Sequence, residues 1–296
     1  MRRSESVRLR TGRSVAVVGV LAAAFWLSLG AVPKAETVPR VPTPRVRAQA
    51  LIILDSITGE TLWGRNFSEP RPIASITKVM TVLVFLEQGR ELDLSRDVVI
   101  SRQDTLRAST TYLRSGERVT LRDLVHLALV ASDNAAARAL ARVSGLGTKR
   151  FVAAMNRKAA HFGLQQTRFV DPSGLHEGNL SSAYDVSRLI LLASERPEVA
   201  EIMRKRSYLV RTSRRERTIR STNRLLGTGV EVIAGKTGYI DEAGYCFATL
   251  VRLKDGRPVS IVVLGSSSNA GRFTEARRLV DWLSTQASVL LTSAAQ

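Results

Sequence analysis

Three short motifs in this chain contain the residue types that acyl transfer through a serine requires. In chain order they are Ser75-Ile76-Thr77-Lys78, Ser132-Asp133-Asn134 and Lys236-Thr237-Gly238. A serine hydroxyl is a weak nucleophile until a neighbouring base takes its proton. Each motif alone arises by chance in chains of this length. All three in this order predict an enzyme that forms a covalent acyl-serine intermediate.

The base in such a site is predicted to be a lysine, because the chain has only three histidines and they are scattered. We assign Ser75 as the nucleophile and Lys78 as the general base, since residues three apart on a helix point to the same side. An ammonium group cannot accept a proton, so burial and a second cation, Lys236, must lower the pKa of Lys78. Ser132 is predicted to relay the proton towards the leaving amine.

The other motif residues are predicted to bind substrate. The Asn134 amide can hold Lys78 or a substrate carbonyl. A glycine in a strand marks close approach of another backbone, so an extended peptide can align along the third motif. Two amides must stabilise the oxyanion, and those of Ser75 and Tyr239 are the candidates. The predicted substrate-binding residues are Asn134, Lys236, Thr237, Gly238 and Tyr239.

The elements that position these motifs change in type along the chain. Strands at both ends of the predicted domain, with helices between them, predict an α+β fold. Helices would pack on a mostly antiparallel sheet that the first and last strands share. Strand patterns cover residues 51–55 and 61–65 (a hairpin), 230–236, 245–254 and 258–265, and helical patterns cover residues 75–88, 120–131, 150–164, 183–194 and 273–286.

The N-terminus indicates where the enzyme works. A basic leader precedes an uncharged, largely apolar run at residues 14–32, which is the layout of an export signal and is long enough to span a bilayer. We predict a signal peptide or membrane anchor at residues 1–32, a Pro-rich linker at 33–48, the peptidase domain at 49–290 and a tail at 291–296. The domain would then lie in the periplasm or at the outer face of the cytoplasmic membrane.

Charge and composition narrow the partners. The 296 residues include 44 basic and 26 acidic ones, for a net charge of +18, which favours anionic partners. Export removes most of the support for nucleic-acid binding. The basic segment at residues 204–220 is interpreted either as a contact for an anionic membrane or wall polymer or as a solvated cationic hairpin. No metal or cofactor is predicted, and Cys246, the single cysteine, allows no internal disulfide.

Six further stretches match a known family. They are Pro72-Ile73-Ala74, Asn156, Phe169-Val170-Asp171-Pro172-Ser173-Gly174-Leu175, Ser182-Ala183-Tyr184-Asp185, Thr222-Asn223-Arg224-Leu225-Leu226 and Asp241-Glu242-Ala243-Gly244-Tyr245-Cys246. With the motifs, they resemble the low-molecular-mass penicillin-binding proteins, the serine D-alanyl-D-alanine carboxypeptidases and endopeptidases of the cell wall. The resemblance implies a penicillin-binding/β-lactamase-like transpeptidase fold with a helical subdomain. It also implies cleavage of peptidoglycan stem peptides at D-alanine and acylation of Ser75 by β-lactam antibiotics.

Two departures favour the endopeptidase branch of that family, which cuts D-alanine cross-links. The carboxypeptidases usually have Ser-Gly-Asn at the second motif, whereas this chain has Asp133. They also usually carry a further β-rich domain and an amphipathic C-terminal anchor, which we do not expect here. The acyl chemistry is shared, so a carboxypeptidase stays open. An exopeptidase needs a cation for the terminal carboxylate, and Arg272 is a candidate.

Two other functions remain as alternatives. Class A β-lactamases share the three motifs but depend on a glutamate in a later loop. Glu177 lies in roughly that region, although the residues that follow it, Gly178-Asn179-Leu180, do not match their loop pattern. A wall-binding protein with an inactive site is the other alternative, and the intact set of motif residues argues against it.

Overall fold

The computed structural model of the protein describes residues 43–88 and 92–294. The predicted signal peptide or anchor at residues 1–32 lies outside this part, as does most of the predicted linker. The predicted domain boundaries therefore stay predictions. In the described part, no helix combines the length and the apolar character that crossing a membrane requires.

A five-stranded antiparallel sheet carries the fold. Its strands are β1 (Ala50–Asp55), β2 (Thr61–Arg65), β9 (Glu231–Ile240), β10 (Gly244–Arg252) and β11 (Pro258–Ser266). They lie in the order β2-β1-β11-β10-β9, and Ala50 of β1 is opposite Leu264 of β11. The predicted hairpin is confirmed, and so is the prediction that the first and last strands share one sheet, in which they are neighbours. Strand β9 is left at one edge of the sheet.

Alternate residues of β1 face two separate hydrophobic cores. The run from Ala50 to Leu54 is continuously apolar, as expected of a strand that is covered on both faces. Ile52 belongs to the larger core, which includes side chains from most of the helices. Ile53 belongs to a smaller core with Phe273 of the last helix, α8 (Asn269–Ala294). Packing on both faces holds the sheet rigidly in place.

Seven helices precede α8 in the described part of the chain, and the first of them carries Lys78 of the first motif. They are α1 (Thr77–Leu86), α2 (Arg102–Thr105), α3 (Leu121–Val130), α4 (Asn134–Val143), α5 (Gly147–His161), α6 (Ala183–Ser194) and α7 (Pro197–Met203). Helix α1 contacts α3, α4, α5 and α6, and its residues from Thr77 to Phe85 are all buried. Up to Phe85, helix α1 is therefore buried on every side rather than amphipathic. Helices α6 and α8 both pack on the central strands.

Four of these helices begin with a capping side chain. Ser101, Thr120, Asp133 and Ser182 precede α2, α3, α4 and α6, and each accepts a hydrogen bond from the backbone amide three residues later. Such caps satisfy amides that have no partner within the helix. Asp133 is the middle residue of the second motif, so this motif is also the start signal of α4.

Short strand pairs complete the fold. Strand β3 (Arg71–Pro72) pairs with β6 (Leu180–Ser181), β4 (Asp97–Val99) pairs with β5 (Arg118–Thr120), and β7 (Ser207–Arg211) pairs with β8 (Glu216–Arg220). The β7–β8 hairpin contains most of the basic segment at residues 204–220. The two strands of that hairpin pair antiparallel, with Ser207 opposite Arg220.

The structure differs from the sequence-based expectations at several element ends. Helix α7 was not predicted, since its seven residues are too few for a periodic pattern to stand out. Strand β9 continues to Ile240, beyond the predicted end at residue 236, and α8 runs from Asn269 to Ala294 rather than over residues 273–286. The helix predicted from residue 75 begins as a 3-10 turn at Ala74–Ile76, which contacts β9.

Gly174 lies where two backbone segments meet behind this 3-10 turn. Its φ of +79° belongs to the left-handed region, and a Cβ atom there would lie 2.1 Å from the Ala74 carbonyl oxygen. Gly145 has nearly the same φ, +81°, but an added Cβ would meet nothing within 4 Å. The two glycines therefore separate backbone strain from steric overlap.

We expect Gly174→Ala to destabilise the protein far more than Gly145→Ala. Left-handed strain alone costs about 1 kcal/mol for an alanine. Overlap with a backbone that cannot move adds about 2 kcal/mol or more at Gly174. Urea unfolding of both variants measures the difference in free energy. Equal losses would show that the turn at Ala74 yields to the methyl group.

Candidate active site

The first motif places a serine and a lysine in direct contact. Ser75 is the middle residue of the 3-10 turn, and Ala74 before it has a φ of +48°, which is uncommon for a residue other than glycine. Such strained positions cluster at functional sites. Lys78 is the second residue of α1, and its Nζ lies 2.7 Å from Ser75 Oγ. The predicted nucleophile and base are thus within hydrogen-bond reach.

The surroundings of Lys78 suit an amine that can lose its charge. The side chain is fully buried, and this burial lowers its pKa to about 7 against the opposing charge of Asp133. Besides Ser75, Nζ contacts Asn134 Oδ1 at 2.7 Å and the carbonyl oxygen of Ser173. A neutral amine has two N–H groups and one lone pair. The two oxygens can take the N–H groups, and the lone pair then remains for the Ser75 hydroxyl.

Asn134 is held so that its oxygen faces the lysine. Its Nδ2 donates to the Ala108 carbonyl at 2.7 Å and to Ser109 Oγ at 3.2 Å. Since the amide nitrogen is occupied by these two acceptors, Oδ1 is directed to Lys78. Ser109 itself has a φ of +46°, so the segment beside the second motif is strained as well.

The second and third motifs form another serine–lysine pair. Lys236 Nζ lies 2.7 Å from Ser132 Oγ and 2.9 Å from the Thr237 carbonyl oxygen. Lys236 is buried, and burial lowers its pKa well below the ordinary value, with the charges of Lys78 and Arg272 acting in the same direction. Ser132 has a φ of +60°. The structure thus places the predicted proton relay against the cation of the third motif.

Strand β9 brings the third motif against the nucleophile. A Cβ added to Gly238 would lie 2.7 Å from the Ile73 carbonyl oxygen and 3.1 Å from the Ser75 nitrogen. Only a glycine allows the edge strand to approach the 3-10 turn this closely, as the sequence predicted. Thr237 Oγ1 lies 2.7 Å from Thr222 Oγ1. Tyr239, the next residue of the edge, is 46% exposed.

Asp171 organises a turn whose role was not recognised from the sequence. Its carboxylate accepts hydrogen bonds from the backbone and hydroxyl of Ser173 and from the amides of Gly174 and His176. Burial alone would raise the pKa of Asp171, but these hydrogen bonds lower it below its ordinary value. The turn presents the Ser173 carbonyl to Lys78. The signal was the Asp-Pro-Ser-Gly stretch, which is a turn pattern without an obvious chemical role.

Asp133 ties a second segment to the site. Its Oδ1 accepts from the Ala136 amide at 2.9 Å, and its Oδ2 accepts from the Tyr112 amide at 2.6 Å and from Thr111 Oγ1 at 3.0 Å. Burial raises the pKa of Asp133, and the hydrogen bonds from Tyr112 and Ala136 oppose that rise. One side chain therefore caps α4 and holds residues 108–112 beside Asn134.

The basic segment reaches the same place. Arg215 Nη2 donates to the Tyr112 carbonyl at 2.7 Å, and the Arg217 guanidinium lies 4.7 Å from the centroid of the Tyr112 ring. Arg215 also lies 3.6 Å from the buried carboxylate of Glu117. Tyr112 is thus held at its amide, its carbonyl and its ring. Part of the β7–β8 hairpin is packed against the wall of the site rather than only solvated.

Arg272, the candidate cation for a substrate carboxylate, is engaged elsewhere. Its side chain is buried, and Nη1 donates to the carbonyl oxygens of Gly238 at 2.8 Å and Cys246 at 3.1 Å. Nη2 donates to Asn269 Oδ1 at 2.7 Å. The guanidinium is therefore committed to the protein backbone in this structure, and it is not a solvated residue at a helix start.

Several known proteins are similar to this chain in sequence and fold. The family model described as D-alanyl-D-alanine carboxypeptidase matches residues 36–268. The D-alanyl-D-alanine endopeptidase of Pseudomonas aeruginosa is 32% identical over 91% of this chain and 89% of its own length. The crystal structure of a D-alanyl-D-alanine carboxypeptidase from Mycobacterium tuberculosis is similar with a TM-score of 0.75, at 33% identity over 82% of this chain and 93% of that one. Penicillin-binding protein D2 of Listeria monocytogenes, solved in its cefotaxime-bound form, gives a TM-score of 0.72, at 29% identity over 81% of this chain and 98% of that one.

We expect Asp133→Asn to destabilise the protein by about 3 kcal/mol. Both carboxylate oxygens of Asp133 accept hydrogen bonds from backbone amides, so the NH2 group of an asparagine would have to face one of these N–H donors. Ser182→Ala is the matched control, since it removes the cap of α6 alone and costs about 1 kcal/mol. Urea unfolding measures both losses. Hydrogen exchange should also show faster exchange of the Tyr112 amide in Asp133→Asn only. A loss no larger than that of the control would mean that Asp133 is merely a cap.

Proposed function

The chain belongs to the D-alanyl-D-alanine carboxypeptidase family of serine peptidases, and we propose that it acts within this family as an endopeptidase that cuts D-alanine cross-links. It is a penicillin-binding serine hydrolase with peptidoglycan peptides as its substrate class. The observation that carries the assignment of roles is the contact of Lys78 Nζ with Ser75 Oγ at 2.7 Å. This is the nucleophile–base pair that acyl-serine chemistry requires.

Acylation begins when neutral Lys78 takes the Ser75 hydroxyl proton. The Ser75 oxygen then attacks the carbonyl carbon of the D-alanine residue whose peptide bond is to be cut. The resulting oxyanion accepts hydrogen bonds from the amides of Ser75 and Tyr239. As the tetrahedral intermediate collapses, the C–N bond breaks. The proton that Lys78 took from Ser75 passes through Ser132, which Lys236 orients, to the leaving amine, and Lys78 is neutral again.

Deacylation reverses these transfers with water as the nucleophile. A water molecule gives a proton to the neutral base and attacks the ester carbonyl. The tetrahedral intermediate then releases the free carboxylate, and the proton returns to the Ser75 oxygen. Strand β9 lies beside the 3-10 turn, so an extended stem peptide can align along Thr237.

Two features support endopeptidase rather than carboxypeptidase action. Asp133 replaces the glycine that carboxypeptidases usually have, and it fixes the Tyr112 segment as a wall of the site. The Arg272 guanidinium is occupied by the Gly238 and Cys246 carbonyls, so it is not free to bind a terminal carboxylate. The endopeptidase name of the Pseudomonas relative points in the same direction.

We place the enzyme outside the cytoplasm, in the periplasm or at the outer membrane face, on the strength of the basic and apolar N-terminal pattern. β-Lactams are proposed as covalent inhibitors that acylate Ser75. We interpret the basic segment at residues 204–220 as part of the wall of the site rather than as a contact for a membrane or wall polymer. Two of its arginines, Arg215 and Arg217, are engaged with Tyr112.

The acylation rate is expected to rise with pH through about 7, because Lys78 is a base only when its amine is neutral and burial sets its pKa near that value. Stopped-flow acylation by a β-lactam across pH gives the profile. Lys78→Arg stays cationic, so its rate should lie about 1,000-fold below the wild-type plateau and should not rise through pH 7. The control Lys158→Arg, at an ion pair with Glu87, should leave the profile unchanged. A flat wild-type profile would exclude Lys78 as the base.

Muropeptide digestion separates the two peptidase activities. The wild-type protein should split cross-linked dimers into monomers and leave the terminal D-alanine of uncross-linked pentapeptides in place, as read by mass spectrometry. Ser75→Ala should do neither and should not be labelled by penicillin. Removal of terminal D-alanine without splitting of dimers would identify a carboxypeptidase. Rapid turnover of penicillin would identify a β-lactamase.

A further inference from the structure

Arg272 is a buried cation without a carboxylate partner. Its side chain is 6% exposed, and none of the ion pairs among the described residues includes it. Its Nε is buried with no hydrogen-bond partner in the described part of the chain. Burying a charge in this way is costly unless other interactions compensate for it. The guanidinium is instead directed at backbone carbonyls, those of Gly238 at 2.8 Å and Cys246 at 3.1 Å.

The Gly238 carbonyl shares a peptide group with the Tyr239 amide. No cis peptide is present in the described residues, so the C=O and the N–H of this group point in opposite directions. Arg272 bonds the carbonyl on the side of β10, where Cys246 lies opposite Gly238. The Tyr239 N–H consequently points to the free edge of β9. The turn containing Ser75 packs against β9 at Gly238, where an added Cβ would lie 3.1 Å from the Ser75 nitrogen.

We propose that Arg272 is a positioning residue for the oxyanion hole: it fixes and polarises the Gly238–Tyr239 peptide so that the Tyr239 N–H becomes a stronger donor. This inference rests on the proposed acyl-serine mechanism. A cation that bonds a peptide carbonyl draws electron density from the group and strengthens its N–H as a donor. The effect grows in the transition state, where negative charge develops on the substrate oxygen.

The surroundings of Arg272 keep its charge in place. The guanidinium lies 5.4 Å from the centroid of the Tyr245 ring and 4.9 Å from that of Phe273, and Asn269 Oδ1 accepts from Nη2. Burial lowers the pKa of Arg272 to about 10, so it stays cationic at neutral pH. Its charge also lowers the pKa of Lys236. A cationic environment without a paired carboxylate suits a site where an anion forms during the reaction.

The competing explanation is that Arg272 binds a substrate carboxylate directly. A substrate without a carboxylate distinguishes the two, since polarising the oxyanion hole helps any acyl donor. We therefore choose an acyl-D-alanyl thioester whose leaving group is uncharged, and a boronic acid without a carboxylate whose tetrahedral Ser75 adduct places an oxygen in the oxyanion hole. The variants are Arg272→Met, Arg272→Lys and, as a control on the same helix, Arg277→Gln.

Single-turnover acylation by the thioester should slow about tenfold in Arg272→Met, with the dissociation constant of the non-covalent complex unchanged. Boronate affinity should fall by the same factor, Arg272→Lys should recover part of both, and Arg277→Gln should match the wild type. In the β-lactam acyl-enzyme, the infrared stretch of the ester carbonyl should move in Arg272→Met towards the frequency of a free ester. Should Arg272→Met fail to fold, Asn269→Ala, which frees Nη2, should slow acylation about twofold.

Several outcomes would overturn the inference. One is an unchanged thioester acylation rate and carbonyl stretch in Arg272→Met, while the wild type is acylated normally; the proposed function would then stand. A second is a defect that appears only as weaker binding of substrates with a terminal carboxylate, which would make Arg272 a substrate-binding residue. A wild-type protein that forms no acyl-enzyme at all would instead overturn the proposed function, and the inference with it.

Discussion

A lysine can accept a proton from a serine only while it is uncharged, and water keeps a lysine charged at neutral pH. The fold meets this constraint by burying Lys78 completely within α1. A buried amine also needs acceptors for its N–H groups. The two acceptors come from distant parts of the chain, Asn134 at the start of α4 and the Ser173 carbonyl in the Asp171 turn. Helix packing buries Lys78 Nζ, and the start of α4 and the Asp171 turn supply the acceptors for its N–H groups.

The sheet contributes to the same place through its backbone. Two glycines lie close to the Ser75 amide. Cβ atoms added to Gly174 and Gly238 would lie 3.0 Å and 3.1 Å from its nitrogen. Such close approach is needed where backbone amides rather than side chains stabilise charge. The pairing of β1 with β11 holds the sheet that carries β9, so contacts formed between the two ends of the described fold determine where the edge strand meets the nucleophile.

The sequence predicts the reacting residues of this site better than the residues that hold them in place. The pair of Ser75 with Lys78 follows from motif type and spacing, and the sheet follows from apolar runs at both ends of the domain. The contact of Ser132 with Lys236 follows only from the fold. The roles of Asp171 and Tyr112 do not follow, because each depends on hydrogen bonds to residues that only the folded chain brings near. Arg272 shows the same limit, since a sequence reveals a cation but not whether it faces solvent or a carbonyl. Helix α7 is too short for its period to be recognised.

The chain has a net charge of +18, and two of the arginines that contribute to it, in the β7–β8 hairpin, take part in packing beside the site. Arg215 and Arg217 contact Tyr112. Asp133 accepts a hydrogen bond from the Tyr112 amide and also caps α4. The first residue of α4 is Asn134, whose Oδ1 contacts Lys78. A chain of direct contacts therefore joins two arginines, the exposed Arg217 and the half-buried Arg215, to a fully buried amine. Dissolved ions weaken contacts of exposed cations. Ionic strength therefore acts on the exposed end of a chain of contacts whose other end is the buried Lys78 amine.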